Sequence, residues 1–371
     1  MASPAVLDIA SLVEPVTAER PVGVNLREDP AARPLYFQIK DIRTQARGAE
    51  RQALMNGESA ADAGDWQPLL TLVPQALATL SKDLEIAAYL LEALVRKSGF
   101  AGLRDGFRLV RELLERYGDE IYPEPDEDGL ETRLAPLTGL NGADAEGTLI
   151  APMRSVPLTA KSSVGAFGLA HYRQALDLER ATPEQRERRI SQGAVALGTI
   201  QIAIAESDSD FFNNLRDDLT ACQAEFAQLS QQLDGKFGQT SPPTSTIRGV
   251  MTECLETLQI IARDKLTGAG QAGTAAAATE QAAAGPASVA PRSGQSVGVI
   301  ENRDDAFQEL LNIAQFFRKT EPHTPISYAL EQIVRWGRLP LPELLRELIG
   351  DENSVNQMFK LCGIPAQRDT N

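Results

Sequence analysis

The chain has 371 residues, of which 43% are hydrophobic and only 5% aromatic, and its formal net charge at pH 7 is −15. This length predicts two or three domains, whose cores must be packed mainly by Leu, Ala, Ile and Val. The negative charge argues against a nucleic-acid binder, which needs cations to displace counterions, and against an electrostatic hold on anionic lipid.

The cysteines and the chain start predict a cytoplasmic location. Cys222, Cys254 and Cys362 lie far apart and form no Cys-x-x-Cys pair, which indicates a reducing compartment and no disulfide framework. The first ten residues lack the pattern of a signal peptide. No apolar run approaches the roughly 20 residues that span a bilayer, so we expect no membrane insertion.

Helical periodicity begins after a proline-rich stretch that ends near Arg33. Pro34 suits the first turn of the helix that follows, where its missing N–H is harmless. Further helices are predicted over residues 66–80, 83–94 and 107–117, with Gly99, Gly102 and Gly106 at the turn before the last of them. Apolar residues surround most of the 83–94 segment, which predicts a buried central helix.

Three arginines on the first long helix form a row with a spacing of four residues: Arg43, Arg47 and Arg51. One interpretation is that the row binds an acidic surface of a partner. The other is a solvated face whose charges pair with local carboxylates such as Asp41 and Glu50. The sequence leaves both open.

Beyond the first helices, residues 133–160 show the only strand character, and a small hairpin is expected around Ile150 to Val156. Residues 165–266 again predict helices. One begins at Thr182, Pro183 and Gln185, which have the types and spacing of a capping box. Another is expected over residues 243–266.

A domain boundary follows, because residues 267–300 consist almost entirely of Ala, Gly, Gln, Ser, Thr and Pro. This composition predicts a flexible linker. Residues 301–364 then predict a small helical module, with Pro325 in the first turn of its second helix and Thr324 as the cap. Its marginal core indicates self-association, and we expect the contacts to come from its apolar stripes: Phe307, Leu310, Phe317, Ile326, Leu330 and Trp336.

Catalytic and metal-binding patterns are scarce. The only two histidines, His171 and His323, have no neighbours at metal-ligand spacing, and the chain contains neither a Gly-x-Ser-x-Gly elbow nor a phosphate-binding loop. The acidic turn at residues 124–129 partly matches a calcium loop, but Ala135 stands where the bidentate glutamate is required. We therefore predict a non-enzymatic protein without a cofactor or metal.

The order and spacing of several blocks resemble the ImpA N-terminal domain of the TssA family of type VI secretion. These blocks are 35–43, Trp66, 81–85, 91–94, 99–103 and 122–129, ending near Asn141. At the other end, the segments 303–306, 316–318, 321–325 and 336–337 resemble the C-terminal region of the shorter members of that family.

The resemblance implies an all-α protein and a structural role. Members form homo-oligomeric rings through their C-terminal regions and act in assembly with baseplate, sheath and tube proteins. The expected organisation is a helical N-terminal domain at 12–141, a helical middle domain at 165–266, the linker at 267–300 and a ring-forming module at 301–364. The alternative is a monomeric helical adaptor unrelated to secretion.

Overall fold

A computed structural model describes residues 2–56, 63–127, 129–143, 145–267, 303–320, 325–339 and 341–348. These residues form two compact units, one before and one after the gap at 268–302, and each unit is described by itself. Both are helical, and no β-strand is formed by the part of the chain that the structure describes. The prediction of an all-α fold is confirmed.

The first unit contains, in chain order, α1 Ile9–Leu12, α2 Arg33–Met55, α3 Leu69–Thr79, α4 Leu84–Tyr117, α5 Leu130–Asn141, α6 Ile150–Ser155, α7 Leu169–Glu179, α8 Pro183–Ser191, α9 Leu197–Glu206, α10 Ser209–Phe237, α11 Ser245–Ile261 and α12 Arg263–Thr267. The second unit contains α13 Arg303–Thr320, α14 Ile326–Arg338 and α15 Leu341–Leu348. None of these helices is both long and apolar enough to cross a membrane.

Two helix starts confirm the local sequence signals. Pro34 lies in the first turn of α2 as predicted. At α8, the Thr182 hydroxyl accepts a hydrogen bond from the Gln185 amide, and the Gln185 side chain accepts one from the Thr182 amide. At α14, by contrast, Pro325 occupies the position just before the helix rather than its first turn, and Thr324 lies outside the described residues.

The expected hairpin at Ile150 to Val156 is wrong, because this segment forms the short helix α6. Pro152 is the third residue of α6, a position at which an amide has no partner within the helix, so the proline costs nothing. Ile150 and Met153 are buried at helical spacing, and α6 packs on both α4 and α11. Packing against α4 and α11 therefore favours a helix over a hairpin in this segment.

Helix α4 is the centre of the first unit. It contacts α3, α5, α6 and α10, and nearly every side chain in its first half is buried, as predicted for residues 83–94. The predicted turn before residue 107 is a kink at Gly99, whose φ of 54° is in the left-handed region that favours glycine. One continuous apolar core extends from Ile9 to Ala262, so the predicted domains 12–141 and 165–266 share it.

The second unit is a helical pair, α13 against α14, with α15 beside it. Gly337 allows close contact, because a Cβ added there would lie 2.4 Å from the Phe307 ring. Among the side chains described in this unit, only Ala314, Ser327 and Val334 are buried. The predicted linker 267–300 lies outside the described residues apart from Thr267, the last residue of α12.

Candidate interaction surfaces: the arginine row and the polar cleft

The arginine row on α2 does not act as one surface, because Arg43 turns inward. Its Nη2 lies 2.6 Å from Glu92 Oε1 and its Nε 3.1 Å from Glu92 Oε2, which makes a two-point pair with a carboxylate on α4 that is only 1% exposed. Burial lowers the pKa of Arg43, but the hydrogen bond and charge of Glu92 outweigh it and raise the pKa above its ordinary value. Arg43 is therefore a structural cation.

Glu50, a proposed local partner of the row, binds elsewhere. It accepts hydrogen bonds from Arg96 Nε at 2.6 Å and from Trp66 Nε1 at 2.7 Å. The Arg96 guanidinium lies 3.9 Å from the centre of the Trp66 ring. Glu50 thus joins α2 to α4 and to the buried tryptophan that precedes α3.

Arg47 and Arg51 form the open part of the row. Arg47 is half-buried and, among the described residues, has no hydrogen bond or salt bridge. Its pKa is lowered first by burial and then by the charges of Arg43, Arg96 and Arg51, with only Glu92 acting in the opposite direction. Arg51 is exposed. These two guanidinium groups are the ones available to an acidic partner.

Next to Arg43 lies a cleft of about 720 Å³ between α2, α4, α5 and the turn at residues 123–126. We call it the polar cleft. Its lining is Asn25, Arg27, Glu28, Tyr36, Arg43, Glu85, Ala88, Tyr89, Glu92, Pro123, Glu124, Pro125, Asp126, Thr132, Ala135, Pro136, Gly139 and Thr148.

Glu85 holds the first wall of the polar cleft together. Its carboxylate pairs with Arg27 and accepts hydrogen bonds from the hydroxyls of Tyr36 and Tyr89. Burial alone would raise the pKa of Glu85, but the Tyr89 hydrogen bond and the Arg27 charge outweigh it, and the pKa lies below 4.5. Burial and the Glu85 charge raise the pKa of Tyr36 to about 12.

Helix α5 leaves the polar cleft unfilled because the side it presents there is small. That side consists of Thr132, Ala135, Pro136 and Gly139, at helical spacing. A Cβ added at Gly139 would meet no atom within 4 Å. The sequence analysis missed this cleft. The available signals were two glutamates inside the otherwise apolar first half of α4, residues 84–95, and a row of small residues on α5.

Comparisons with known proteins identify relatives of this chain. Residues 13–142 match the family described as ImpA, N-terminal, type VI secretion system. The type VI secretion system component TssA1 of Pseudomonas aeruginosa is 26% identical over 362 residues, which cover 96% of this chain and 98% of that protein. The chain therefore resembles TssA1 along nearly its whole length, and its first part resembles the ImpA N-terminal family. The resemblance seen in the sequence is confirmed.

A solved structure shows the same fold as a large part of this chain. It is the N-terminal domain, including the conserved ImpA_N region, of the TssA component of the type VI secretion system from Burkholderia cenocepacia. The two structures superpose with a TM-score of 0.58 at 22% identity, over 70% of this chain and 95% of that domain. The family's N-terminal fold thus extends beyond residue 142 in this chain.

The acidic turn of the chain forms one rim of the polar cleft. The Thr132 hydroxyl donates to Asp126 Oδ1 at 2.5 Å, and the Gly129 amide donates to the Asp126 carbonyl at 2.9 Å. Asp128 lies outside the described residues. Within the residues that are described, no three His, Cys, Asp or Glu side chains come close enough together to hold a metal ion.

The predicted contact residues of the C-terminal module differ in exposure. Ile326 is exposed, whereas Phe307, Leu310, Phe317, Leu330 and Trp336 are partly buried within the unit. Trp336 donates from Nε1 to Glu347 at 3.0 Å. Four other large side chains are more open to solvent than those five: Ile313, Phe316, Tyr328 and Ile333.

Proposed function

We propose that this chain is a non-enzymatic structural component of the type VI secretion system. In this proposal it works in the cytoplasm as a ring-forming scaffold for the baseplate and for the tail sheath and tube. Its C-terminal unit, the predicted module 301–364, joins the copies, and its N-terminal unit holds the partner proteins. The observation that carries the proposal is the similarity to TssA1, which extends over 96% of the chain.

The second unit supports self-association because its described residues leave much apolar surface in water. Phe316 is 59% exposed, Tyr328 62% and Ile333 47%. A helical pair of this size buries too little to be stable alone, and a second copy would cover these side chains. Heterologous, head-to-tail contacts between copies would close such units into a ring.

The chemistry of the first unit supports binding rather than catalysis. The lining of the polar cleft contains no His, Cys or Ser. Its two arginines and its two α4 glutamates are paired with one another or with Asp83 and Thr148. His171 accepts a hydrogen bond from the Gly168 amide and packs on Phe167. The second histidine of the chain, His323, lies outside the described residues.

Size-exclusion chromatography with light scattering tests self-association at micromolar concentration. We expect the full chain to form a large oligomer and a chain ending at residue 267 to be a folded monomer. The double substitution Phe316→Ser and Ile333→Ser should lower the oligomer mass while the circular dichroism stays helical. Gln315→Ser, an exposed polar position on α13, is the matched control. A monomeric full chain would support the adaptor alternative instead.

A pull-down from cells that carry the secretion locus tests the partner surface. We expect Arg47→Glu with Arg51→Glu to lose an acidic partner through charge repulsion while the oligomer persists. Arg188→Glu with Arg189→Glu changes two exposed arginines on α8 and serves as the control. Equal recovery of partners by both double variants would remove the arginine row from the proposal.

A further inference from the structure

In the walls of the polar cleft, the arginine side chains are already paired with carboxylates of the same chain. Arg27 is bonded to Asp83 and Glu85, with its Nη1 2.6 Å from Asp83 Oδ2. Arg43 is bonded to Glu92, which also accepts a hydrogen bond from the Thr148 hydroxyl at 2.7 Å. Both arginines are paired with carboxylates of the chain, so neither is available to an anion that enters the cleft.

Charge remains at the rim, and it is negative. The lining holds five carboxylates against two guanidiniums. Glu28 and Glu124 are both exposed, and within the described part of the chain neither forms a salt bridge. They come from different segments, one before α2 and one after α4. Two unpaired carboxylates above neutralised walls favour a cation as the occupant.

The rest of the lining suits the carbon part of a long cationic side chain. Tyr36 and Tyr89 are fixed in place by their hydrogen bonds to Glu85, and Pro123, Pro125 and Pro136 add rigid apolar surface. Proline faces pack well against the methylene stem of lysine or arginine while the charged end reaches the rim. The tyrosine rings are already covered in part by this chain's own cations, since Arg27 lies 4.9 Å from the centre of the Tyr36 ring and Arg43 lies 4.3 Å from that of Tyr89. Because hydrogen bonds within the chain already hold the walls, binding would cost little reorganisation.

We propose that the polar cleft binds a lysine or arginine side chain presented by a segment of another protein. A space of about 720 Å³ exceeds what one side chain fills, so the occupant is a stretch of polypeptide rather than a free amine. The inference requires neither ring formation nor the open arginines of α2. The cleft would bind a cation, whereas the open arginines would bind an acidic surface.

The test uses the full-length protein and an array of nonapeptides with arginine, lysine or neutral citrulline fixed at the centre and varied flanks. The strongest cationic peptide is then titrated by fluorescence anisotropy. We expect citrulline at the same position to abolish binding. N-acetyl-arginine amide alone should bind at least about 100-fold more weakly than the peptide, because it lacks the flanking contacts.

Two variants connect binding to the cleft. Gly139→Leu places a side chain in the open space and should abolish binding, whereas Gly249→Leu adds the same group at an open helical glycine on α11 and should have no effect. Glu28→Gln with Glu124→Gln should weaken binding about 5- to 30-fold, as expected for two partly exposed charge contacts. Glu120→Gln with Glu127→Gln removes the same charge outside the lining and is its control.

Three results would overturn the inference. The first is an array without any preference for cationic peptides. The second is binding that is equal for wild type and Gly139→Leu, which would place the site elsewhere. The third is an arginine amide that binds as tightly as the peptide, which would make the cleft a small-molecule site. Circular dichroism of each variant confirms that a loss of binding is not a loss of fold.

Discussion

Lys82 shows how one residue can join two helix ends. Its side chain is fully buried, and its Nζ donates to the carbonyl of Leu12 at 2.8 Å and to that of Leu77 at 2.6 Å. Leu12 is the last residue of α1, and Leu77 lies in the last turn of α3, so the ammonium satisfies carbonyls that lack a helical partner. A lysine is needed here for its donors and its length.

Replacing Lys82 by Met keeps most of the volume but removes both hydrogen bonds. We expect the free energy of unfolding to fall by about 2–4 kcal/mol, because two buried carbonyls lose their donor. Urea unfolding at pH 7 measures the change. Lys97→Met, at an exposed position on α4, should stay within about 0.5 kcal/mol of wild type. A similar small loss at Lys82 would show that water replaces the ammonium.

Glu85 makes stability depend on acid. Despite burial, hydrogen bonds from Tyr89 and the charge of Arg27 hold the pKa of Glu85 below its ordinary value, so the carboxylate contributes stability above the ordinary pKa and loses it as the pH falls through the lowered one. Glu85→Gln should cost about 1–3 kcal/mol at pH 7, and the difference from wild type should shrink below pH 4. Urea unfolding at pH 7 and 3.5 checks this. A difference that is independent of pH would contradict the assignment.

At the scale of elements, the kink of α4 is tied to a single glycine. Gly99 has φ 54° and ψ −136°, and an added Cβ would lie 3.1 Å from Val156 Cγ1. Gly99→Ala should therefore destabilise the fold by about 1–3 kcal/mol. Gly48→Ala, at an open position inside α2, should stabilise it by about 0.5–1 kcal/mol. Thermal unfolding of both variants tests the contrast in sign.

Sequence patterns predict elements best where local chemistry decides. The start of α2 at Pro34, the capping box of α8 and the buried character of residues 83–94 all follow from short-range rules. Helix α6 was missed because the sequence does not show that Pro152 falls in a first helical turn or that the segment is buried between α4 and α11. The pairing of Arg43 with Glu92 depends on the packing of two helices, so the row of arginines could not be divided into closed and open members beforehand.

The polar cleft illustrates a further limit. It exists because α5 presents small residues to α4, and a row of Thr132, Ala135, Pro136 and Gly139 is equally typical of a tight helix contact. Only the placement of α5 shows that the space stays open. The binding proposed for the cleft thus depends partly on side chains that are too small to fill the space between α4 and α5.

At the scale of the whole molecule, the apolar core of the first unit extends well beyond the region that matches the family. The matched region ends at residue 142, yet α4 packs along α10, and the rings of Phe107 and Phe226 lie 4.7 Å apart. A fragment of residues 1–142 would expose the apolar side of α4.

We expect that fragment to aggregate or to unfold without cooperativity, because it lacks the side chains of α6 and α10 that pack against α4. A fragment of residues 1–267 should melt in one transition, since it contains the entire apolar cluster from Ile9 to Ala262. Differential scanning calorimetry and dye binding distinguish the two. A stable and monomeric 1–142 fragment would show that α10 is dispensable for folding.

The shared core around α4 also has a mechanical consequence. A load applied to α2 or to the rim of the polar cleft passes into α4 and then into α10 and α11 through packed side chains, not only along the backbone. The first unit would therefore move as one stiff body from the rim of the polar cleft to α12. In a contractile machine, such a body transmits displacement instead of absorbing it.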